Sequence, residues 1–181
     1  MCNSNKVALE DNEIVGRYIR DPGSFKSSRR KHKAKNPTST PDLNDVIPYR
    51  LFRPRNGESV TSVIRECFGP SAVCKHAKQI DGVIGIAELK VRDIRNVKIC
   101  NVQTAQCYPA FEALSDPLNN FPEHAILTTP HISNKLFPAQ KGENMNPALQ
   151  SQLTNLYEDL FKYCIKHPPL TIDQWYLIHT A

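Results

Sequence analysis

The sequence predicts an α+β fold, in which a mixed or antiparallel sheet of about four to six strands is covered on one face by a C-terminal amphipathic helix. Residues 83–91 are rich in β-branched and small apolar side chains and follow an Asp-Gly turn, which is typical of a strand. Residues 146–166 repeat apolar side chains at intervals of three and four, which is typical of a helix with one buried face. With 181 residues, 40% of them hydrophobic, the chain can form one packed core.

The predicted domain organisation is simple. Residues 1–13 are polar and are expected to form a flexible N-terminus, after which residues 14–181 form a single α+β domain. Within this domain, residues 26–45 contain almost no apolar side chains and are expected to form an exposed basic loop.

The first half of the domain contains three predicted elements. Residues 14–19 fit one face of a short helix. Residues 46–53 alternate like a strand, and Pro48 places that strand at an edge of the sheet. Residues 59–66 are rich in β-branched side chains, although their spacing also fits a helix. The Asn-Gly pair between the two segments favours a hairpin, so 59–66 is predicted to be a strand that pairs with 46–53.

The middle of the chain alternates between helix and strand. Ser71 is positioned to cap a helix over 72–79. The strand at 83–91 has apolar residues on both faces at its start, which favours a central position in the sheet. Residues 97–102 predict a further strand.

The last third contains the clearest helix. A short helix is predicted at 110–114 and a strand at 124–129. Asn146 and the proline after it are typical of a helix start, and Pro168 stops the helix. The apolar tail from Leu170 is expected to pack as a strand or a short helix. The apolar stripe of the long helix consists of Leu149, Leu153, Leu156, Tyr157, Leu160, Phe161 and Cys164.

Positive charge is concentrated in one short segment. Residues 26–35 carry six cations and no acid, so this segment contributes +6 to a formal net charge of +5 and the rest of the chain carries −1. Such a segment suggests contact with phosphates, nucleic acid or an acidic protein surface. It contains no aromatic side chain, which favours contact without base stacking. The candidate nucleic-acid-binding residues are Lys26, Arg29, Arg30, Lys31, Lys33 and Lys35, flanked in sequence by Arg17, Arg20, Arg50, Arg53, Arg55 and Arg65.

A second interpretation is an enzyme that uses arginine and histidine. Arginine holds a phosphate with a planar fork, and histidine exchanges protons near neutral pH. Arg53, Arg65 and His124 are the candidate catalytic residues of a small, metal-independent hydrolase or nuclease-type toxin. Their convergence in one pocket would support this interpretation, and their dispersal would weaken it.

No metal site or cofactor is predicted. The pairs Cys67/Cys74 and Cys100/Cys107 are each separated by six residues, a spacing that lacks the tight turn of a zinc knuckle. With no secretory signal peptide recognisable, the six cysteines are expected to be free thiols. Glu88, two residues before Lys90 on a strand, is interpreted as part of an exposed ion pair.

Parts of residues 14–130 resemble a group of small uncharacterised bacterial proteins, with which no activity is associated. The matching pieces are short: Gly16-Arg-Tyr-Ile19, Phe25, Phe52-Arg-Pro54, Ser62-Val63-x-Arg65, Ala87-x-Leu-Lys-Val91 and Pro122-Glu-His-Ala-Ile126. Residues 26–45 and 103–121 look like insertions relative to that pattern.

The sequence therefore favours a cytoplasmic accessory or effector protein that binds an anionic partner, most simply nucleic acid, through its basic loop. The two alternatives are the arginine/histidine hydrolase and a protein–protein adaptor that docks on an acidic surface. No apolar stretch approaches the length of a membrane span, so no membrane partner is expected.

Overall fold

The structure, a computed structural model, describes residues 6–20, 42–46, 48–54, 60–100, 104–130 and 147–181. The strands in these ranges are β1 (Ile14–Arg20), β2 (Thr61–Arg65), β3 (Val83–Lys90), β4 (Lys98–Cys100), β5 (Cys107–Pro109), β6 (Glu112–Ser115), β7 (His124–Thr128) and β8 (Leu170–Thr171). The α-helices are α1 (Pro48–Phe52), α2 (Pro70–Gln79), α3 (Val91–Asn96), α4 (Pro147–Lys162) and α5 (Ile172–Thr180). Leu43–Asp45 and Glu66–Phe68 each form one 3₁₀ turn.

Six strands form the main sheet, in the order β6-β7-β2-β1-β3-β8, and all neighbouring strands are antiparallel. Strands β4 and β5 form a separate antiparallel pair. Helices and a mostly antiparallel sheet occur together, so the predicted α+β class is confirmed. The predicted central position of 83–91 is also confirmed, because β3 lies between β1 and β8.

Helices cover both faces of the sheet. The larger core lies on one face, where Val15 and Leu89 of the sheet pack with Phe52 of α1 and Leu160 of α4. Helix α4 is thus the predicted C-terminal amphipathic helix. The opposite face carries a smaller core made by Tyr18, Ile64, Val73, Ala77, Ile86 and Trp175, to which α2 and α5 contribute. The sequence did not predict this second helical layer.

Three predicted elements have the wrong type. Residues 14–19 form β1 instead of a helix, because both faces of the strand are buried and the usual alternation with polar residues is lost. Residues 48–52 form α1, with Pro48 at the first helical position, where a missing N–H is tolerated. The predicted hairpin is therefore wrong, since β2 pairs with β1 and β7. Residues 112–115, which overlap the predicted helix 110–114, form edge strand β6.

Helix α2 begins differently from the prediction. Gly69 is its N-cap, with φ of 85°, and Pro70 is its first residue. Ser71 lies inside the first turn and makes no capping bond. The left-handed backbone at this position favours glycine, so the chain turns into the helix at Gly69.

Residues 6–13 belong to the domain, although 1–13 was predicted to be a flexible N-terminus. The Leu9 N–H donates to the Ala113 carbonyl beside β6, and the Leu9 side chain is buried. The Arg95 guanidinium forms ion pairs with Asp11 and Glu112 and so fixes this segment to α3 and β6. Within the described ranges, every helix falls short of the length or the hydrophobicity that a membrane span requires.

Candidate functional site

A cleft opens where two neighbouring strands of the sheet separate. Within the described residues, β1 and β2 pair only at Val15–Arg65 and Gly16–Ile64, whereas β1 pairs with β3 along its whole length. Past Gly16 the two strands diverge and enclose a cleft of about 280 Å³. Its polar lining residues are Arg17, Arg20, Ser62, His76 and His124.

Two arginines of β1 project into this gap. The Arg17 guanidinium bridges it, since Nε donates to the Leu51 carbonyl at 3.1 Å and a terminal nitrogen donates to the Ser62 carbonyl at 2.5 Å. Arg20 Nε donates to the Asp81 carbonyl at 3.1 Å. Among the described residues, no carboxylate lies within salt-bridge distance of Arg20. Its positive charge is held in place by a neutral acceptor and remains available to an anionic ligand.

His76 forms the apolar side of the cleft. Its ring stacks on Phe121 with centroids 4.1 Å apart and meets the edge of Tyr18 at 5.5 Å. Burial lowers the pKa of His76, and the Glu123 carboxylate, 3.5 Å from Nδ1, opposes that shift. His76 is therefore predominantly neutral at neutral pH.

His124, the first residue of β7, lines the same cleft. Its Nδ1 is 2.7 Å from the carbonyl oxygen of Asp116, and a carbonyl can only accept, so Nδ1 is the donor. In the neutral ring, Nε2 is then the proton acceptor. The cleft thus combines guanidinium charge with two imidazoles, an arrangement that can hold an anionic oxygen and exchange a proton with a bound group.

The three candidate catalytic residues lie in different surroundings. His124 lines the cleft. Arg65 is opposite Val15 in the ladder and bonds Glu13 at 2.7 Å, whereas His124 is opposite Ile64, so the two side chains leave opposite faces of the sheet. Arg53 follows α1, and its charge acts on the buried Tyr157 hydroxyl of α4. They share no pocket, which weakens the enzyme interpretation based on this trio.

The basic segment 26–35 lies outside the described residues. Arg20, the last described residue before it, lines the cleft. After the basic segment, the described residues begin again at Asp42, and the Leu43 side chain packs against Gly85 of β3. The sequence identified Arg17 and Arg20 as cations that flank the basic segment, but it gave no sign that Ser62 and His76 line a cleft. No local pattern reveals that two strands will separate.

The cysteines differ in part from their prediction. Cys100 and Cys107 face each other across β4 and β5 and form a disulfide, so the prediction of free thiols is wrong for this pair. Cys67, Cys74 and Cys164 are free thiols.

Glu88 is not part of an exposed ion pair, because its side chain is 5% exposed and accepts a hydrogen bond from Trp175. Burial, reinforced by the Glu88 carboxylate, raises the pKa of the neighbouring Glu66 to about 9. Among the described residues, Glu66, Glu88 and His179 form the group whose donor atoms lie close enough together to hold a metal ion. The alternation of polar and apolar residues along β3 placed Glu88 on a solvated face, which α5 in fact covers.

No family model, curated protein or solved structure matches this chain. The resemblance to small bacterial proteins therefore stays a prediction.

We expect His76 to make folding stability fall as the solution is acidified. Since burial lowers its folded-state pKa, the unfolded chain takes up a proton below about pH 6.5 that the folded chain resists. Stability from this group is present above pH 6.5 and declines by at most ~1.4 kcal/mol per pH unit below it. Urea unfolding of the wild-type chain and His76→Gln between about pH 5 and pH 8 measures the difference.

The matched control is His167→Gln, which removes an exposed histidine. The wild-type advantage over His76→Gln should shrink toward acid pH, while the advantage over His167→Gln should not change. Parallel pH profiles for all three proteins would contradict the expectation.

Proposed function

We propose that this chain binds an anionic partner, most simply the phosphate backbone of a nucleic acid, through the basic segment 26–35. The observation that carries the proposal is the charge distribution: this segment contributes +6 and the rest of the chain carries −1. Each lysine or arginine that neutralises a phosphate releases condensed counterions, which supplies binding energy without sequence recognition.

The cleft, which is lined by Arg20, offers further polar groups that support this proposal. Arg20, the last described residue before the basic segment, presents a guanidinium that is hydrogen-bonded to a carbonyl. Ser62 and His124 add hydroxyl and imidazole groups on the other wall. These are side chains that proteins commonly use for phosphate and sugar contacts, so the cleft can contribute contacts in addition to those of the basic segment.

The test is a titration of labelled single-stranded and duplex oligonucleotides at several salt concentrations. Replacing Arg29, Arg30, Lys31 and Lys33 with glutamine is expected to weaken binding and to reduce the salt slope by up to ~0.9 per lost contact on duplex DNA. The readout is fluorescence anisotropy of the oligonucleotide.

The matched control removes four cations elsewhere: Lys75, Lys78, Lys98 and Lys166 are all exposed. Both variants lose the same net charge, so only a local contact makes the first variant weaker than the second. Equal affinities would show that binding reflects net charge alone. Failure of every oligonucleotide to bind, with capture of an acidic peptide instead, would favour the adaptor alternative, and cleavage of the oligonucleotide would favour the hydrolase.

A further inference from the structure

A second polar cluster lies on the same face of the sheet as the smaller core. Glu66 comes from the 3₁₀ turn after β2, Glu88 from β3 and His179 from α5. His179 Nε2 lies 3.2 Å from Glu88 Oε1 and 3.8 Å from Glu66 Oε2. One donor atom from each residue falls within 4.8 Å of the others, although the three residues are far apart in sequence.

The hydrogen bond on the far side of the imidazole fixes which nitrogen faces the carboxylates. His179 Nδ1 is 2.9 Å from the carbonyl oxygen of Trp175, and only Nδ1 can donate in that pair. In the neutral ring, Nε2 therefore carries a lone pair, which faces the oxygens of Glu66 and Glu88. When both carboxyl groups are deprotonated, three electron-pair donors converge there, an arrangement that can coordinate a cation.

Trp175 holds two members of the cluster in position. Its indole Nε1 donates to Glu88 Oε1 at 2.5 Å. Its ring stacks on His179 with centroids 4.3 Å apart and planes inclined by 22°. Outer hydrogen bonds and packing of this kind orient the ligands of metal sites in proteins.

The Glu66 carboxyl group adds a second observation to the geometry of the cluster. Its side chain is 8% exposed, and Oε1 is buried with no hydrogen-bond partner among the described residues. A Cβ on Gly16 would come within 3.5 Å of this oxygen and 2.5 Å of Ile86, so the packing below the carboxyl is close. A buried carboxyl oxygen without a partner is costly. The Glu66 oxygen that lies near His179 is Oε2, so a cation coordinated by both oxygens of Glu66 would remove that cost.

We propose that Glu66, Glu88 and His179 together bind one divalent transition-metal ion of the zinc class. Two carboxylates and one imidazole suit Zn²⁺ or Mn²⁺ better than Mg²⁺ or Ca²⁺, which prefer oxygen ligands alone. Three protein ligands leave further coordination positions open, as in catalytic zinc sites, and the 30% exposed His179 gives solvent access to them.

The proposal is separate from nucleic-acid binding and uses no cysteine. The sequence-based expectation of no zinc concerned the cysteine spacing, whereas these ligands come from a turn, a strand and a helix that meet only in the folded chain. The expectation and the proposal therefore make opposite predictions for the metal content of the protein.

The experiment uses the full chain after treatment with a chelator. Equilibrium dialysis against Zn²⁺ with elemental analysis is expected to give about one ion per chain, and Co²⁺ is expected to give a visible absorption band that Zn²⁺ removes. His179→Gln and Glu66→Gln should each weaken binding by at least ~10-fold. His167→Gln, an exposed histidine outside the cluster, should bind like the wild-type chain.

Circular dichroism checks that both variants fold. His179 lies at the exposed end of the site, so His179→Gln still tests the proposal if Glu66→Gln does not fold. The proposal is overturned by an absence of Zn²⁺ binding, which would mean that shared protons alone neutralise the cluster. It is also overturned if His179→Gln binds as tightly as the wild-type chain, or if the cobalt spectrum shows a thiolate charge-transfer band, which would place the metal on cysteine.

Discussion

Trp175→Ala is expected to lower the free energy of unfolding by ~3–5 kcal/mol, out of a total of ~5–15 kcal/mol for a domain of this type. Trp175 is fully buried, and its ring fills the smaller core between Tyr18, Ile64 and Ile86. The substitution leaves a cavity and also removes the N–H that bonds Glu88. A buried acceptor that loses its donor adds to the cost of the cavity. Urea denaturation followed by circular dichroism measures the change in midpoint.

The control for this prediction is on the same helix. Leu177 is 67% exposed, so Leu177→Ala is expected to change the free energy of unfolding by no more than ~0.5 kcal/mol. Both substitutions lie within one turn of α5, and each replaces a large side chain by alanine. If the two variants unfold at the same urea concentration, α5 does not pack on the sheet as described, and the cluster of Glu66, Glu88 and His179 does not form.

The sequence predicted best those elements that have a clear local signal at one end. The strands at 83–91 and 124–129 and the helix at 146–166 combine clear periodicity with turn or capping signals, and each is present as β3, β7 and α4. The α+β class follows from these elements alone. For these elements the local sequence was sufficient, because the periodicity of apolar residues indicates the type of element and the turn or capping residues indicate where it begins or ends.

The errors occurred where tertiary packing overrides the local pattern. In β1, apolar pairs at 14–15 and 18–19 fit a helical period, but both faces of the strand are covered. In α1, alternating residues resembled an edge strand, although a proline is also favoured at the first position of a helix. The strand pairing of β2 with β1 and β7 joins segments far apart in sequence, so no turn signal could have predicted it.

The candidate sites were harder to predict than the fold. The cleft exists because β1 and β2 pair over only two of the described residues. The cluster of Glu66, Glu88 and His179 exists because α5 packs on β3 beside the turn at Glu66. His76, Glu66 and His179 have no motif around them. By contrast, the basic segment is a property of composition, so the sequence alone identified it.

Leu160→Ala is expected to cost ~2–5 kcal/mol, because Leu160 is fully buried between α4 and the sheet. Leu156, for which the sequence predicted a loss of that size, is only partly buried, so Leu156→Ala should cost less. Gln152 is exposed on the same helix, and Gln152→Ala should be nearly neutral. Urea midpoints in the order Leu160→Ala, Leu156→Ala, Gln152→Ala, from lowest to highest, test the orientation of the stripe. Equal midpoints for all three would mean that α4 is exposed, which would favour a partner-binding helix and the adaptor alternative.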